Sequence, residues 1–281
     1  QHLHIAGATA EALVHDPRIA HVAFTGSVAV GHAVSRAAAD RFISVGLELG
    51  GKDPAYVRAD ADLGFAAANL VDGAFFNSGQ SCCGIERIYV HEAVFDDFIA
   101  RAVEVTHAYR LGNPTDPATN LGPVVSAKAA AFIRAQVAEA VAQGAVPLID
   151  PGRFAADSQS SPYMAPQILV NVSHRMRVMT EETFGPVVGV MKVNSDAEAI
   201  ALMNDSPYGL TAALFSRDLA AAEAIGAQIE TGTVFLNRCD SLDPALPWVG
   251  VKDTGRGHTL SIWGYEHLTR PQSFHLRLPA V

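Results

Sequence analysis

Short β-type runs alternate with alanine-rich helical stretches along almost the whole chain, and this alternation restricts the fold to an α/β class. Residues 9–15 read as a short helix stopped by Asp16-Pro17. Residues 21–24 form a β-type run that ends in Thr25-Gly26-Ser27, and residues 28–39 behind it are helical. Residues 43–49 read as a buried strand. Leu63, Ala67, Leu70 and Ala74 recur at helical spacing, predicting a helix over 61–77 with that row facing a core. Further on, the pattern predicts a strand at 88–90 and helices at 93–109 and 127–143. Strands follow at 168–170, 187–193, 212–215 and 233–236, with helices at 197–203 and 219–228 among them. The order implies a largely parallel sheet flanked by helices. Residues 150–161 read as an exposed excursion, and residues 273–278 as a terminal β-strand.

Composition narrows the function classes. With 281 residues, 49% of them hydrophobic, the chain can bury a substantial core in one or two domains. The net charge of −9 is not interrupted by a Lys/Arg cluster, which argues against a nucleic-acid surface. No run approaches the roughly 18 uncharged apolar residues of a membrane span. Cys82, Cys83 and Cys239 are too few and too unevenly spaced for a disulfide framework, and they suit a reducing, cytoplasmic compartment. The eleven histidines show no metal-ligand spacing, so no metal is expected. The chain opens Gln1-His2-Leu3-His4-Ile5 and meets a turn signal at once. That reads as entry into the middle of an α/β unit, with further sequence expected upstream.

Two stretches concentrate the chemistry. Glu48-Leu-Gly-Gly-Lys52 places a carboxylate before a glycine pair, and Gly79-Gln-Ser-Cys-Cys83 places a thiol on a turn beyond a helix end. A carboxylate base and a cysteine nucleophile are the parts needed to form and then hydrolyse a thioester. Cysteines are commonly buried and inert, and a carboxylate before two glycines also serves to cap a turn. Adjacent cysteines are too close for a shared metal site, and a disulfide between Cys82 and Cys83 would be strained. Gly26, Ser27 and Gly31 follow a strand and open a helix, a layout that admits a phosphate or simply an N-cap. Glu182, in Glu181-Glu182-Thr-Phe-Gly-Pro186, either forms a solvated acidic turn or accepts hydrogen bonds from a ribose.

Taken in order, Phe24-Thr-Gly-Ser27…Gly31, Glu48-Leu-Gly-Gly-Lys52, Phe75-Phe-Asn-Ser-Gly-Gln-Ser-Cys82, Leu121-Gly-Pro123, Glu182-Thr-Phe-Gly-Pro186, Asn204…Tyr208-Gly-Leu210, Gly232-Thr-Val-Phe-Leu-Asn237 and Pro247-Trp…Gly250…Lys252…Gly255 resemble the aldehyde dehydrogenase superfamily. The resemblance covers essentially the whole chain. It implies the catalytic-domain fold of that family, preceded by the last part of a Rossmann-like cofactor domain. Residues 1–48 would close the cofactor domain, 49–253 form the catalytic domain, and 254–281 a return segment with an oligomerisation strand.

The resemblance also implies roles. Cys82 would attack an aldehyde, and Glu48 would activate the water that hydrolyses the resulting thioester. Gly26, Ser27, Gly31, Leu49, Glu182 and Phe184 would contact the cofactor, NAD by expectation with NADP as the alternative. Ser81, Cys83 and Trp248 would line an apolar tunnel for a small-molecule aldehyde. A homodimer or homotetramer is expected. Thr259 stands where members of the family often carry a second acid, which leaves Glu48 as the one strong base. The family's oxyanion-hole Asn and adenine-ribose Lys would lie upstream of Gln1. Transfer of the acyl group to coenzyme A is a second reading, disfavoured by the base at Glu48. A catalytically incomplete chain with an assembly role is a third.

Overall fold

A computed structural model describes residues 2–279. They group into two units. One holds the residues up to Glu48, Leu242–Val249 and the residues from Gly255 on; the other holds Leu49–Ser241 with Gly250–Thr254.

In the first unit, helix Gly7–His15 stops at Asp16, because a residue before proline disfavours the helical backbone. Arg41 fastens the exit, donating to the carbonyls of Val14 and Ile19 at 2.6 Å each. Strand His21–Thr25 then runs parallel to Ser44–Glu48, with Thr25 opposite Glu48. Helix Val28–Ala37 connects them and is N-capped by Ser27. Gly255–Arg256 pairs antiparallel on the other side of Ser44–Glu48, with Gly255 opposite Glu48. The strand expected at 43–49 is therefore the middle of three, and it is only half buried. Val45 and Leu47 are covered while Ser44 is exposed.

The second unit is built on a seven-stranded sheet. Its order is Thr233–Leu236, Thr211–Phe215, Asp53–Val57, Ile85–His91, Val187–Val193, Gln167–Val170 and Val146–Pro147. All neighbours are parallel except the last pair. Alternation along the central strands divides the core. Ala55, Val57, Ile88 and Val90 face helices Leu63–Phe75 and Phe95–His107, while Tyr56 and Tyr89 pack on the opposite side with Ala199, Met203 and Ile225. Strand Asp53–Val57 was not foreseen. It is a continuous buried run opened by Asp-Pro, which gives no alternation to read.

One further expectation is corrected, and another finds no partner among the described residues. The helix expected over 61–77 spans Leu63–Phe75, because Asn77 and Ser78 take left-handed backbone angles and turn the chain. Residues 273–278 form no strand; Phe274, Leu276 and Leu278 are exposed, and among the described residues no strand pairs with them. A strand exists only with a partner for its N–H and C=O groups. The 150–161 excursion is largely exposed as expected, with Phe154 anchoring it in the core and Asp157, half buried, paired with Arg134 at 2.6 Å. Among the described residues no helix is long and apolar enough to cross a membrane.

Candidate active site

Cys82 is carried by a tightly specified turn. After helix Leu63–Phe75, the backbone of Asn77, Ser78 and Gly79 lies in the left-handed region. A Cβ on Gly79 would fall 2.1 Å from the Gly185 carbonyl oxygen, so the position admits only glycine. Gln80 locks the turn, donating to the Asn77 carbonyl at 3.0 Å and accepting from the Val125 N–H at 2.7 Å. Ser78 donates to the Gly122 carbonyl at 2.6 Å. The Leu121-Gly-Pro123 run thus serves as the wall against which the turn is held.

The two adjacent thiols differ. Cys82 is exposed and Cys83 is buried. The Cys83 thiol is pushed far up, first by its hydrogen bond to Cys82, then by burial and by the Asp240 carboxylate. It stays a neutral donor and donates a hydrogen bond to Asp240 Oδ1 at 2.8 Å. Ser81 donates to the same oxygen at 3.4 Å. The expected apolar lining around Ser81 and Cys83 therefore also includes a carboxylate. Cys239 is half buried, donates to the Asn69 carbonyl, and is pushed up to about 12, chiefly by burial.

Glu48 ends the middle strand of the first unit, where its carbonyl accepts from the Gly26 N–H at 3.0 Å. Its carboxyl is held above the ordinary glutamate value by burial, opposed by hydrogen bonds from Thr259 and Trp248. Thr259 and Trp248 also exchange backbone hydrogen bonds of 2.9 and 2.8 Å, which fixes both beside the carboxylate. A carboxyl raised by partial burial has the character of a general base.

The residues expected to meet a cofactor are each placed. Ser27 accepts from the Val30 N–H at 3.4 Å as an N-cap. Gly26 already spends its N–H on Glu48, and the Gly31 N–H closes the first helical turn on the Ser27 carbonyl. The N–H groups left for an anion are those of Val28 and Ala29. Leu49 is buried and donates its N–H to the Thr254 carbonyl at 2.9 Å. Glu182 accepts from the Gly51 N–H at 3.2 Å and lies where a Cβ on Gly50 would be, so the glycine pair is the bed for this carboxylate. Burial, then the nearby Glu86, raises Glu182 to about 7. Phe184 is exposed, with a left-handed backbone. Among the described residues no group of His, Cys, Asp or Glu could hold a metal ion.

A model of the aldehyde dehydrogenase family matches residues 4–274. The chain belongs to the aldehyde dehydrogenase family. It is 36% identical over 259 residues to a probable betaine aldehyde dehydrogenase of Schizosaccharomyces pombe, covering 92% of this chain and 51% of that one. Among solved structures, betaine aldehyde dehydrogenase from Staphylococcus aureus in complex with NAD+ superposes with a TM-score of 0.86. The two are 32% identical, with 93% of this chain and 54% of that one covered. NADP-dependent glyceraldehyde-3-phosphate dehydrogenase from Bacillus halodurans complexed with NADP gives 0.83 at 38% identity, covering 89% and 51%. The chain spans about half the length of the curated relatives it matches.

This member of the aldehyde dehydrogenase family also holds polar residues that no motif marks. Fully buried Lys52 pairs with Glu86 and donates to Thr183 Oγ1 at 2.9 Å. Glu86 in turn accepts from the backbone N–H groups of Thr183, at 2.8 Å, and Phe184, at 2.9 Å. The Glu182-Thr-Phe run is thereby pinned from behind. Three residues before Asp240, the Asn237 side chain brackets Ser216, accepting from its N–H at 3.1 Å and donating to its carbonyl at 2.8 Å. Glu86 and Asp240 lie far in sequence from what they bind, so no local pattern marks them.

Proposed function

We propose that the whole protein oxidises an aldehyde to a carboxylic acid with a nicotinamide cofactor, using Cys82 as nucleophile and Glu48 as general base. The observation that carries this reading is the asymmetry of the thiol pair: buried Cys83 is held protonated and donates, while exposed Cys82 on its glycine-dependent turn is presented to reactants. Cys82 adds to the aldehyde carbonyl carbon as a thiolate, giving a thiohemiacetal whose oxyanion is met by the Cys82 backbone N–H. When bound, the cofactor supplies the hydride acceptor that converts this adduct to a thioester. Glu48 then takes a proton from water, the water oxygen attacks the thioester carbon, and the Cys82 thiolate leaves.

The residues present suit such a cofactor. The capped N-terminus of helix Val28–Ala37 offers two N–H groups to a pyrophosphate, and Glu182 offers acceptor capacity to ribose hydroxyls. Solved relatives hold NAD+ or NADP, and either is compatible with these contacts. Residues 1–48 then belong to the cofactor domain and residues 49–253 to the catalytic domain. The relatives' names span a cationic aldehyde and an anionic one, so they do not choose a substrate.

The test is made on the whole protein with NAD, NADP and a panel of aldehydes. Cys82→Ala is expected to abolish cofactor reduction. Glu48→Gln is expected to leave a burst of one equivalent of reduced cofactor followed by slow turnover. Undiminished turnover in Cys82→Ala overturns the proposal.

A further inference from the structure

Asp240 brings a carboxylate to the Cys82–Cys83 turn. It follows strand Thr233–Leu236, is half buried, and holds a left-handed backbone with φ 47°. Both of its side-chain hydrogen bonds, from Ser81 and Cys83, fall on Oδ1, so Oδ2 keeps its acceptor capacity. Cys83 is in turn hydrogen-bonded to Cys82. The carboxylate therefore stands two hydrogen bonds from the Cys82 sulfur, within the Debye length of about 8 Å at physiological salt. Asp240 acts on both neighbouring thiols, raising Cys83 and Cys239, and on Cys239 it outweighs the opposing Arg238. Its carboxylate thus lies beside the turn that carries exposed Cys82.

We propose that Asp240 makes the approach to Cys82 selective for cationic reactants, so that the aldehyde oxidised here carries an ammonium or protonated amine and an anionic aldehyde is disfavoured. The substrate part of this inference rests on Cys82 being the nucleophile of the proposed dehydrogenase. The electrostatic part can be read without turnover.

The experiment labels the 281-residue chain with a cationic and an anionic methanethiosulfonate, the trimethylammonioethyl and sulfonatoethyl reagents. The Cys82 thiolate attacks the sulfenyl sulfur, a protein S–S bond forms, the S–SO2 bond breaks and methanesulfinate leaves. Fragment-ion mapping assigns the label to Cys82. The cation-to-anion rate ratio is expected to fall roughly three- to tenfold in Asp240→Asn, to survive in Asp240→Glu, and to show no Asp240→Asn effect in 1 M salt. Asp240→Ser repeats the comparison with a smaller side chain should the Asn variant not fold. An unchanged ratio in a folded charge-removing variant overturns the proposal, as does equal loss in Asp240→Glu.

In the whole protein, kcat/KM for an aminoaldehyde is compared with that for a carboxylate-bearing aldehyde of equal length. Aldehyde oxidation whose charge preference ignores Asp240→Asn overturns this inference and leaves the dehydrogenase reading intact. A labelling ratio that follows Asp240 in a protein that oxidises no aldehyde overturns the dehydrogenase reading and leaves the charge selection standing.

Discussion

The Thr259 hydroxyl donates to Glu48 Oε1 at 3.2 Å and so stabilises the charged form of that carboxyl. Burial works in the opposite direction and wins, leaving Glu48 above its ordinary value. Thr259→Val removes the bond and keeps the shape. It is expected to move the Glu48 pKa further up, read from the side-chain carboxyl carbon in an NMR titration of the 281-residue chain. Thr259→Glu is expected to move it up as well, through like-charge repulsion. A Glu48 titration that does not respond to either variant contradicts this account.

Glu182 makes the same conflict measurable as stability. Its folded value of about 7 stands above the ordinary 4.5, so the folded chain holds a proton that the unfolded chain has released between those limits. Stability contributed by this group is fully present below pH 4.5 and is lost as pH rises through 7. Glu182→Gln keeps an acceptor for the Gly51 N–H and removes the charge. It is expected to stabilise the chain at pH 8 by at most about 3 kcal/mol, and by almost nothing at pH 4.5. Urea melts at the two pH values give the comparison. A gain equal at both would mean that the charge is not the cause.

Gly79 carries a backbone demand rather than a charge. Its φ of +72° and the Gly185 carbonyl 2.1 Å from any Cβ make Gly79→Ala strained on two counts. The loss is expected to exceed about 2 kcal/mol in denaturant unfolding. Because the same turn presents Cys82, the variant's Cys82 alkylation rate should also change, even under conditions where the chain remains folded. An alanine variant of undiminished stability would show that the turn relaxes without cost.

These residues show what a sequence of this kind reveals. The parallel sheet was legible because its strands are β-type runs between helical stretches; Cys82 and Glu48 stand out as candidates because each sits near glycines in an ordered series of motifs. Strand Asp53–Val57 was not legible, since an all-buried strand has no alternating face. Nor were Glu86 and Asp240. Their meaning comes from Thr183 and Cys83, which are 97 and 157 positions away and meet them only through the sheet. The 273–278 segment is the opposite case: its alternation of Phe274, Leu276 and Leu278 is genuine, but a strand needs a hydrogen-bonding partner, and the alternation does not name one.

The Lys52–Glu86 pair is the clearest case of a buried charge kept for position. Both side chains are almost wholly covered, and burial lowers the Lys52 pKa despite the carboxylate beside it. Replacing such a pair by apolar groups is often neutral or stabilising, whereas removing one partner costs about 3–5 kcal/mol. Lys52→Met should fall in that range, because Glu86 is left buried with only the Thr183 and Phe184 N–H groups to bind. Glu86→Gln keeps an acceptor for those N–H groups but deprives Lys52 of its counter-charge. Lys52 then neutralises more readily on folding. Since a depressed lysine pKa makes the unfolded chain bind more protons, this variant should recover stability as pH rises from 7 toward 10. The double variant removes both charges, and its cost should fall short of the summed single costs by at least about 1 kcal/mol. Additivity within error in guanidinium unfolding would show that the two charges do not hold each other. The Glu182-Thr-Phe run would then be positioned by backbone packing alone.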